Sequence, residues 1–158
     1  MKKKSRKVLS LDTSSKVTGW ALFINGKYKD SGTIDLHKNK DSLSRVKDMC
    51  LTIAKLIKDK KPTEVVIEEM PSTRNVVTTR MLSKIIGAVY YYCLVNGIPY
   101  EEIPCKKWRG ILGIDKRKRD DAKAESIKRI KEIYKIDTDD NEADAINICE
   151  AYCIREKG

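Results

Sequence analysis

Histidine is almost missing from this chain: His37 stands alone among 158 residues, and the five cysteines (Cys50, Cys93, Cys105, Cys149 and Cys153) include no CxxC pair. A zinc centre needs more imidazole and thiolate ligands at closer spacing, so none is expected, and the cysteines read as reduced thiols of a cytosolic protein. Long apolar runs are missing too. Nothing approaches the roughly 18 residues of a membrane span, and the basic start leads into an apolar strand with no signal-peptide cleavage site, so a soluble, intracellular protein without a membrane partner is expected. Internal repeats and low-complexity linkers are absent, and the length fits a single domain over residues 1 to 158, with a basic tail over about residues 1 to 6. Acidic charge is scarce relative to basic: 33 Lys and Arg face 23 Asp and Glu, a net charge of +10. The excess is concentrated in runs such as Lys2 to Lys7 and Lys116 to Arg119, which makes a polyanion the natural partner.

What the sequence does hold is a set of short apolar runs that end on acid. Val8, Leu9 and Leu11 form a buried-strand run that stops at Asp12; Thr13, Ser14 and Ser15 are turn formers, Gly19 can take a positive φ, and Trp20 to Ile24 reads as the returning strand. Asn25-Gly26 then marks a hairpin into Lys27 to Ile34, because both turn residues tolerate positive φ. Leu43, Val46, Cys50, Ile53 and Ile57 recur at helical spacing before Pro62, and Thr63 to Glu69 is a strand that again finishes on carboxylates. A longer helix over about Thr78 to Asn96 carries apolar residues on more than one face, with Gly97 as its C-cap, so it is buried on two sides or used for association on one. Ile98 to Ile103 is a fifth strand, followed by Pro104 and the basic segment Lys106-Lys107-Trp108-Arg109. Asp120 or Asp121 caps a helix with Ala124, Ile127, Ile130, Ile133 and Tyr134 on its apolar face, and a last helix starts near Asn141.

The order is three strands, helix, strand, helix, strand, helix, helix. It predicts an α/β fold with a mixed five-stranded sheet, an antiparallel three-strand meander plus two parallel strands, flanked by helices. Crossovers put the C-terminal tips of the parallel strands on one edge, where open sheets bind ligands. Asp12 and Glu68 become neighbours there, and Asp144 joins them if the last helix packs beside the first strand. Three buried carboxylates repel one another unless a cation neutralises them, and hard oxygen ligands select magnesium, with manganese as a substitute. Two such ions roughly 4 Å apart suit hydrolysis of a phosphodiester without a histidine, cysteine or serine nucleophile.

The same residues carry a resemblance. Leu11 to Trp20 (LDTSSKVTGW), Val66-Ile67-Glu68-Glu69 and Glu142-Ala143-Asp144-Ala145-Ile146 resemble the acidic motifs of RuvC-type Holliday junction resolvases, bacteriophage-type branch, in the ribonuclease H-like superfamily. The resemblance spans Val8 to Ile148. It implies a homodimeric, magnesium-dependent crossover junction endodeoxyribonuclease, a hydrolase that makes paired nicks in four-way and three-way DNA junctions during recombination, repair or phage DNA processing. It needs no nucleotide cofactor and works in the cytoplasm, that of the host if phage-encoded. Carried over by position, Asp12, Glu68 and Asp144 are metal ligands and catalytic, and Lys106, Lys107 and Lys123 fall near the family's DNA-contacting or catalytic lysines, with Lys123 expected as catalytic and Lys106 and Lys107 on DNA; Arg109, Lys116, Arg117, Lys118 and Arg119 are expected on DNA from their charge. Two positions depart from the family: Asn141 stands where an acidic or histidine ligand is usual, and Pro71 stands where cellular members have a junction-wedging aromatic. Asn141 is expected as the fourth ligand through its side-chain oxygen, with Asp140 as the alternative and otherwise a helix cap.

Plainer readings apply to some of these residues. Asp139 with Glu142 fits a capping box, so acid near residue 140 can serve only to start a helix. Glu69 reads as a solvated neighbour of Glu68, Trp20 and Trp108 as packing residues, and His37 as incidental. Three other functions compete. A phosphotransferase of the actin and sugar-kinase superfamily needs a duplicated domain and glycine-rich phosphate loops, for which 158 residues and 8 glycines leave no room. A non-catalytic DNA binder gives no reason for acid at two strand tips. A related nuclease acting on structured RNA remains open.

Overall fold

The computed structural model describes residues 4–72, 75–114 and 119–158. Its strands are β1 (Lys7–Asp12), β2 (Val17–Ile24), β3 (Lys27–Asp35), β4 (Glu64–Glu68) and β5 (Tyr100–Ile103), and its helices are α1 (Ser42–Lys60), α2 (Val76–Val95), α3 (Cys105–Leu112), α4 (Arg119–Tyr134) and α5 (Asp140–Arg155). The sheet order is β3-β2-β1-β4-β5, with β1 to β3 an antiparallel meander and β1, β4 and β5 parallel. This is the mixed five-stranded arrangement expected from the sequence.

Strand alternation sorts the core into two layers. Leu9, Leu11, Val65 and Ile67 face one side, where they meet Val46, Met49, Ile53 and Ile57 of α1 and Ile85, Val89 and Cys93 of α2. Val8, Ala21, Phe23 and Val66 face the other, under Ala145, Ile146, Cys149 and Tyr152 of α5 and Trp108 of α3. The side-chain period of two then puts Ser10 and Asp12 on the α5 face of β1 and Glu68 on the α5 face of β4. Ser10, fully buried, donates its hydroxyl to the Ala145 carbonyl at 2.6 Å, so the strand is tied to the helix directly.

Four details correct the sequence reading. First, Lys106 to Arg109 lie on a helix, α3, rather than on a bare segment. It starts after Pro104 and closes at Gly113, which takes φ 70°. Secondly, the inward face of α4 is only partly the expected one: Ile127, Ile130 and Tyr134 pack on the core together with Ala122, and Ser126 is buried, whereas Ala124 and Ile133 are exposed, and Asp120 and Asp121 fall inside the first turn. Thirdly, Arg6 is not part of a free tail, because its guanidinium pairs with Glu64 and its backbone bonds Asn25. Fourthly, Gly19 does not have a positive φ. A Cβ there would lie 2.0 Å from the Asn141 carbonyl oxygen, so its missing side chain is what lets the start of α5 touch β2.

Candidate active site

The parallel register of β1 on β4 pairs Leu11 with Ile67, and one residue further on stand Asp12 and Glu68. Asp12 also lies opposite Gly19 across the antiparallel ladder. Because the first turn of α5 rests on Gly19, its acidic residues are brought down beside Asp12. Asp144, the fifth residue of α5, is buried. The three carboxylates therefore meet at one end of the sheet, although 56 and 76 positions separate them along the chain.

Their electrostatics follow from that convergence. Burial pushes Asp12 well above the ordinary carboxylate range, and the charges of Glu68, Asp144 and Asp140 push it further, with Lys123 opposing. Glu68 is raised by burial and by Asp144, against the Trp108 indole and Arg109. Asp144 is raised by burial and by Asp140, against Ser126, Arg109 and Lys123. Ser126 lies close enough to act on Asp144, yet both Ser126 Oγ and Asp144 Oδ1 are buried without a hydrogen-bond partner among the described residues. Burial also acts to raise Asp140, yet its ion pair with Lys123 outweighs this and holds it below the ordinary value.

The arrangement fits a hard cation. An orphaned buried carboxylate oxygen on Asp144 is a polar group in want of a partner, and Asp12, Glu68 and Asp144 offer oxygen donors only. Among the described residues no three carboxylate, imidazole or thiol groups close around one point at metal-ligand spacing. Glu68 instead leans on Trp108, whose Nε1 donates to its Oε2 at 2.7 Å, and Asp140 leans on Lys123.

The other expected residues separate into three groups. Lys123 and Arg109 reach the acidic centre with their charge, and the Arg109 guanidinium stacks 5.1 Å from the Trp108 ring. Lys106 and Lys107 are exposed on α3, and the charge of Lys107 acts on Glu101 of the edge strand β5 rather than on the acidic centre. Lys116, Arg117 and Lys118 lie outside the described residues, and Arg119 opens α4. At the start of α5 the cap is Asp139, whose side chain accepts from Glu142 N at 2.8 Å. The expected Asp139 cap is therefore present, and the expectation that Asp140 caps the helix is corrected. The capping box is only half formed, because Glu142 accepts instead from Ser31 Oγ at 2.7 Å. Asn141 is half-buried, with its carbonyl over Gly19.

The plainer readings also have outcomes. Glu69 is exposed, and His37 is exposed and paired with Asp35 in its loop. Trp108 is fully buried, as a packing residue should be, but it also holds Glu68, a role the sequence reading missed. The spacing of Cys105, Trp108, Ile111 and Leu112 between Pro104 and Gly113 was the available signal for the helix that places it. Ser126, as a buried hydroxyl beside Asp144, carried no comparable signal.

Known proteins share this framework. Residues 4–156 match the protein family described as Lactococcus phage M3 protein. Curated relatives named crossover junction endodeoxyribonuclease RuvC are 28% identical over 111 residues in Halorhodospira halophila and 26% identical over 99 residues in Nitratidesulfovibrio vulgaris. These matches cover 68% and 58% of this chain, and 66% and 57% of the relatives' own length. The structure of Thermus thermophilus RuvC in complex with Holliday junction substrate superposes with a TM-score of 0.77 at 16% identity, covering 97% of this chain and 96% of that one. The yeast mitochondrial Holliday junction resolvase Ydc2 superposes with a TM-score of 0.62 at 15% identity, covering 94% and 78%. With a family match over nearly its whole length and this sheet, the chain belongs to the family described as Lactococcus phage M3 protein and has the RuvC-type, ribonuclease H-like fold.

Proposed function

We propose that this chain is a metal-dependent, structure-selective endonuclease that resolves four-way and three-way DNA junctions by paired phosphodiester hydrolysis. The observation that carries the reading is the convergence of half-buried Asp12 and Glu68 on buried Asp144, each raised by desolvation and by its acidic neighbours, with one Asp144 oxygen unpartnered among the described residues. The relatives' name, crossover junction endodeoxyribonuclease, supports the substrate class. Divalent magnesium or manganese, two ions per centre, would supply charge neutralisation and Lewis acidity there. Asp12, Glu68 and Asp144 would hold the metal, with Asn141 in the fourth position or, as the alternative, Asp140, whose carboxylate charge acts on both Asp12 and Asp144. Lys123 keeps Asp140 ionised. Arg109 offers a planar set of donors beside Glu68 and Asp144 to a phosphate, and Lys106, Lys107 and the run from Lys116 to Arg119 add sequence-independent backbone affinity.

Paired cuts need two centres related by symmetry, and the proposed active form is a homodimer. Helix α2 supports this: Leu82, Ile85, Val89 and Cys93 face the core, while Val76, Val77, Tyr90, Tyr91, Leu94 and Val95 are exposed. Leu94→Glu, an outward change, should give monomers in sedimentation that no longer make paired nicks. A wild-type monomer at micromolar concentration that still cuts both strands together would remove the dimer from the proposal. The catalytic reading is tested by incubation with four-way, three-way and linear DNA and with RNA duplex, with and without magnesium. Magnesium-dependent paired cutting confined to branched DNA is expected. Cutting of RNA duplex in preference to junctions, or no cutting at all, would overturn it.

A further inference from the structure

A second group of residues at the same end of the sheet has no part in the carboxylate centre. Arg45, in the first turn of α1, is only 6% exposed. A guanidinium keeps its charge when buried, and a buried charge is normally matched by a carboxylate or another anion. Among the described residues Arg45 forms no ion pair, and of its donors only Nη1 is well used, to the Asn39 carbonyl at 2.8 Å. Its Nη2 lies 3.5 Å from Ser15 Oγ and 4.0 Å from Met81 Sδ, both at the limit of hydrogen bonding, and its Nε is buried without a partner. The charge is therefore held in place by one carbonyl and left without a counter-charge.

The direction in which that charge is presented identifies the ligand class. Ser15 belongs to the turn that joins β1 to β2, three residues beyond Asp12, and it is half-buried, with exposed Lys16 beside it. Arg45 is the one hydrogen-bond partner of the Ser15 hydroxyl among the described residues, and as a donor it leaves the Ser15 proton free to point outward. Its neighbours in the turn are already satisfied, with Thr18 Oγ1 donating to the Ser14 carbonyl and Lys16 N to Ser14 Oγ. An anion resting on this turn would meet the Ser15 hydroxyl, the Lys16 ammonium and the field of the buried guanidinium behind them. On the proposed reading as a nuclease, the anion that passes this point is the backbone of the strand whose cleavable bond lies at Asp12. We propose that Ser15 and Arg45 form a phosphate subsite, separate from the carboxylates, that holds one phosphodiester group of that strand and so sets its register in the site.

The test uses the full chain without divalent ion and measures binding to a four-way DNA junction by fluorescence anisotropy. In a set of junctions, single backbone phosphates near the cut found with magnesium are replaced by neutral methylphosphonate. Wild type should lose about tenfold in affinity at one such position, the scale of a hydrogen bond to a charged group. Ser15→Ala and Arg45→Gln should each bind the unmodified junction several-fold more weakly. Arg45→Gln, which removes a charge, should also flatten the slope of log affinity against log salt by up to about 0.9, and both variants should lose their sensitivity at that same phosphate. Ser15→Ala changes only a turn hydroxyl, so it reports even if Arg45→Gln fails to fold. A folded Ser15→Ala variant with the wild-type affinity and the wild-type methylphosphonate pattern would overturn the subsite while leaving the nuclease reading intact. A wild type that binds no nucleic acid would overturn both.

Discussion

Glu64 and Glu68 begin and end the same five-residue strand, yet they sit in opposite electrostatic worlds. Glu64 takes a two-pronged contact from Arg6 and the hydroxyl of Tyr152 at 2.8 Å, and the Arg6 guanidinium holds its carboxyl below the ordinary range. Arg155 does the same for Glu101 of the neighbouring strand, and both arginines lie over the Tyr152 ring. At the other end Glu68, Asp12 and Asp144 are raised by burial and by one another. One end of the sheet has spent its acidic residues on closing α5 against the strands. The other keeps acid crowded and short of cations, which destabilises the fold and is useful only if a ligand supplies the missing charge.

The pH consequences have opposite signs. Glu64 and Glu101, with lowered values, add stability above the ordinary carboxylate pKa, and it is lost as pH falls through their lowered values. Asp12, Glu68 and Asp144, with raised values, subtract stability near neutrality, and it is regained as pH falls through their raised values. The first break in the comparison removes an acid from the crowded end. Asp12→Asn should lower cleavage at least about a hundredfold, since several kcal/mol of charge stabilisation go with it. It should also raise Tm, by about 2–4 °C if about 1 kcal/mol of repulsion is relieved. Paired cleavage assays and thermal melts read both, and retained cutting would sink the assignment of Asp12.

Next in size is Gly19→Ala, which forces the new methyl group into the Asn141 carbonyl. A backbone clash cannot be relieved by a rotamer, so stability should fall by about 3 kcal/mol, and the acids of α5 should be lifted away from Asp12 with loss of cleavage. A stable, fully active Gly19→Ala variant would show that α5 does not depend on this contact. The smallest effect is expected from Trp108→Phe, which keeps an aromatic ring but removes the donor to Glu68. Turnover should fall about tenfold, as for the loss of one hydrogen bond to a charged group. Because the indole lowers Glu68, its removal should move the acidic limb of the pH–rate profile to higher pH. An unmoved profile would reduce Trp108 to a packing residue.

The contrast between the two ends also explains what could be read from the sequence. The strands were legible because β1 and β4 are apolar runs ending on acid, and Asn25-Gly26 announces its hairpin; these are local signals. Asp12 and Glu68 followed from parallel register, and Asp144 from the packing of α5 on β1. What stayed hidden depends on contacts between distant parts of the chain. Gly19 looks like a turn glycine until the Asn141 carbonyl is seen above it. Trp108 looks like core until Glu68 is seen at its nitrogen, and Arg6 like tail until Glu64 claims it. The capping-box spacing of Asp139 and Glu142 did announce the Asp139 cap, but that Asp140 meets Lys123 depends on the packing of α4 against α5.

The most direct measurement compares Glu64→Gln with Glu68→Gln, the same isosteric change at the two ends of β4, scored for both melting temperature and magnesium-dependent junction cleavage. A crossed pattern is expected. Glu64→Gln should lose about 1–3 kcal/mol of stability through the unpaired, partly buried Arg6 and cleave normally once folded, whereas Glu68→Gln should melt no lower than wild type and fail to cleave. Cleavage by Glu68→Gln at the wild-type rate, or loss of cleavage by folded Glu64→Gln alone, would contradict the placement of the active site at the C-terminal tips of β1 and β4.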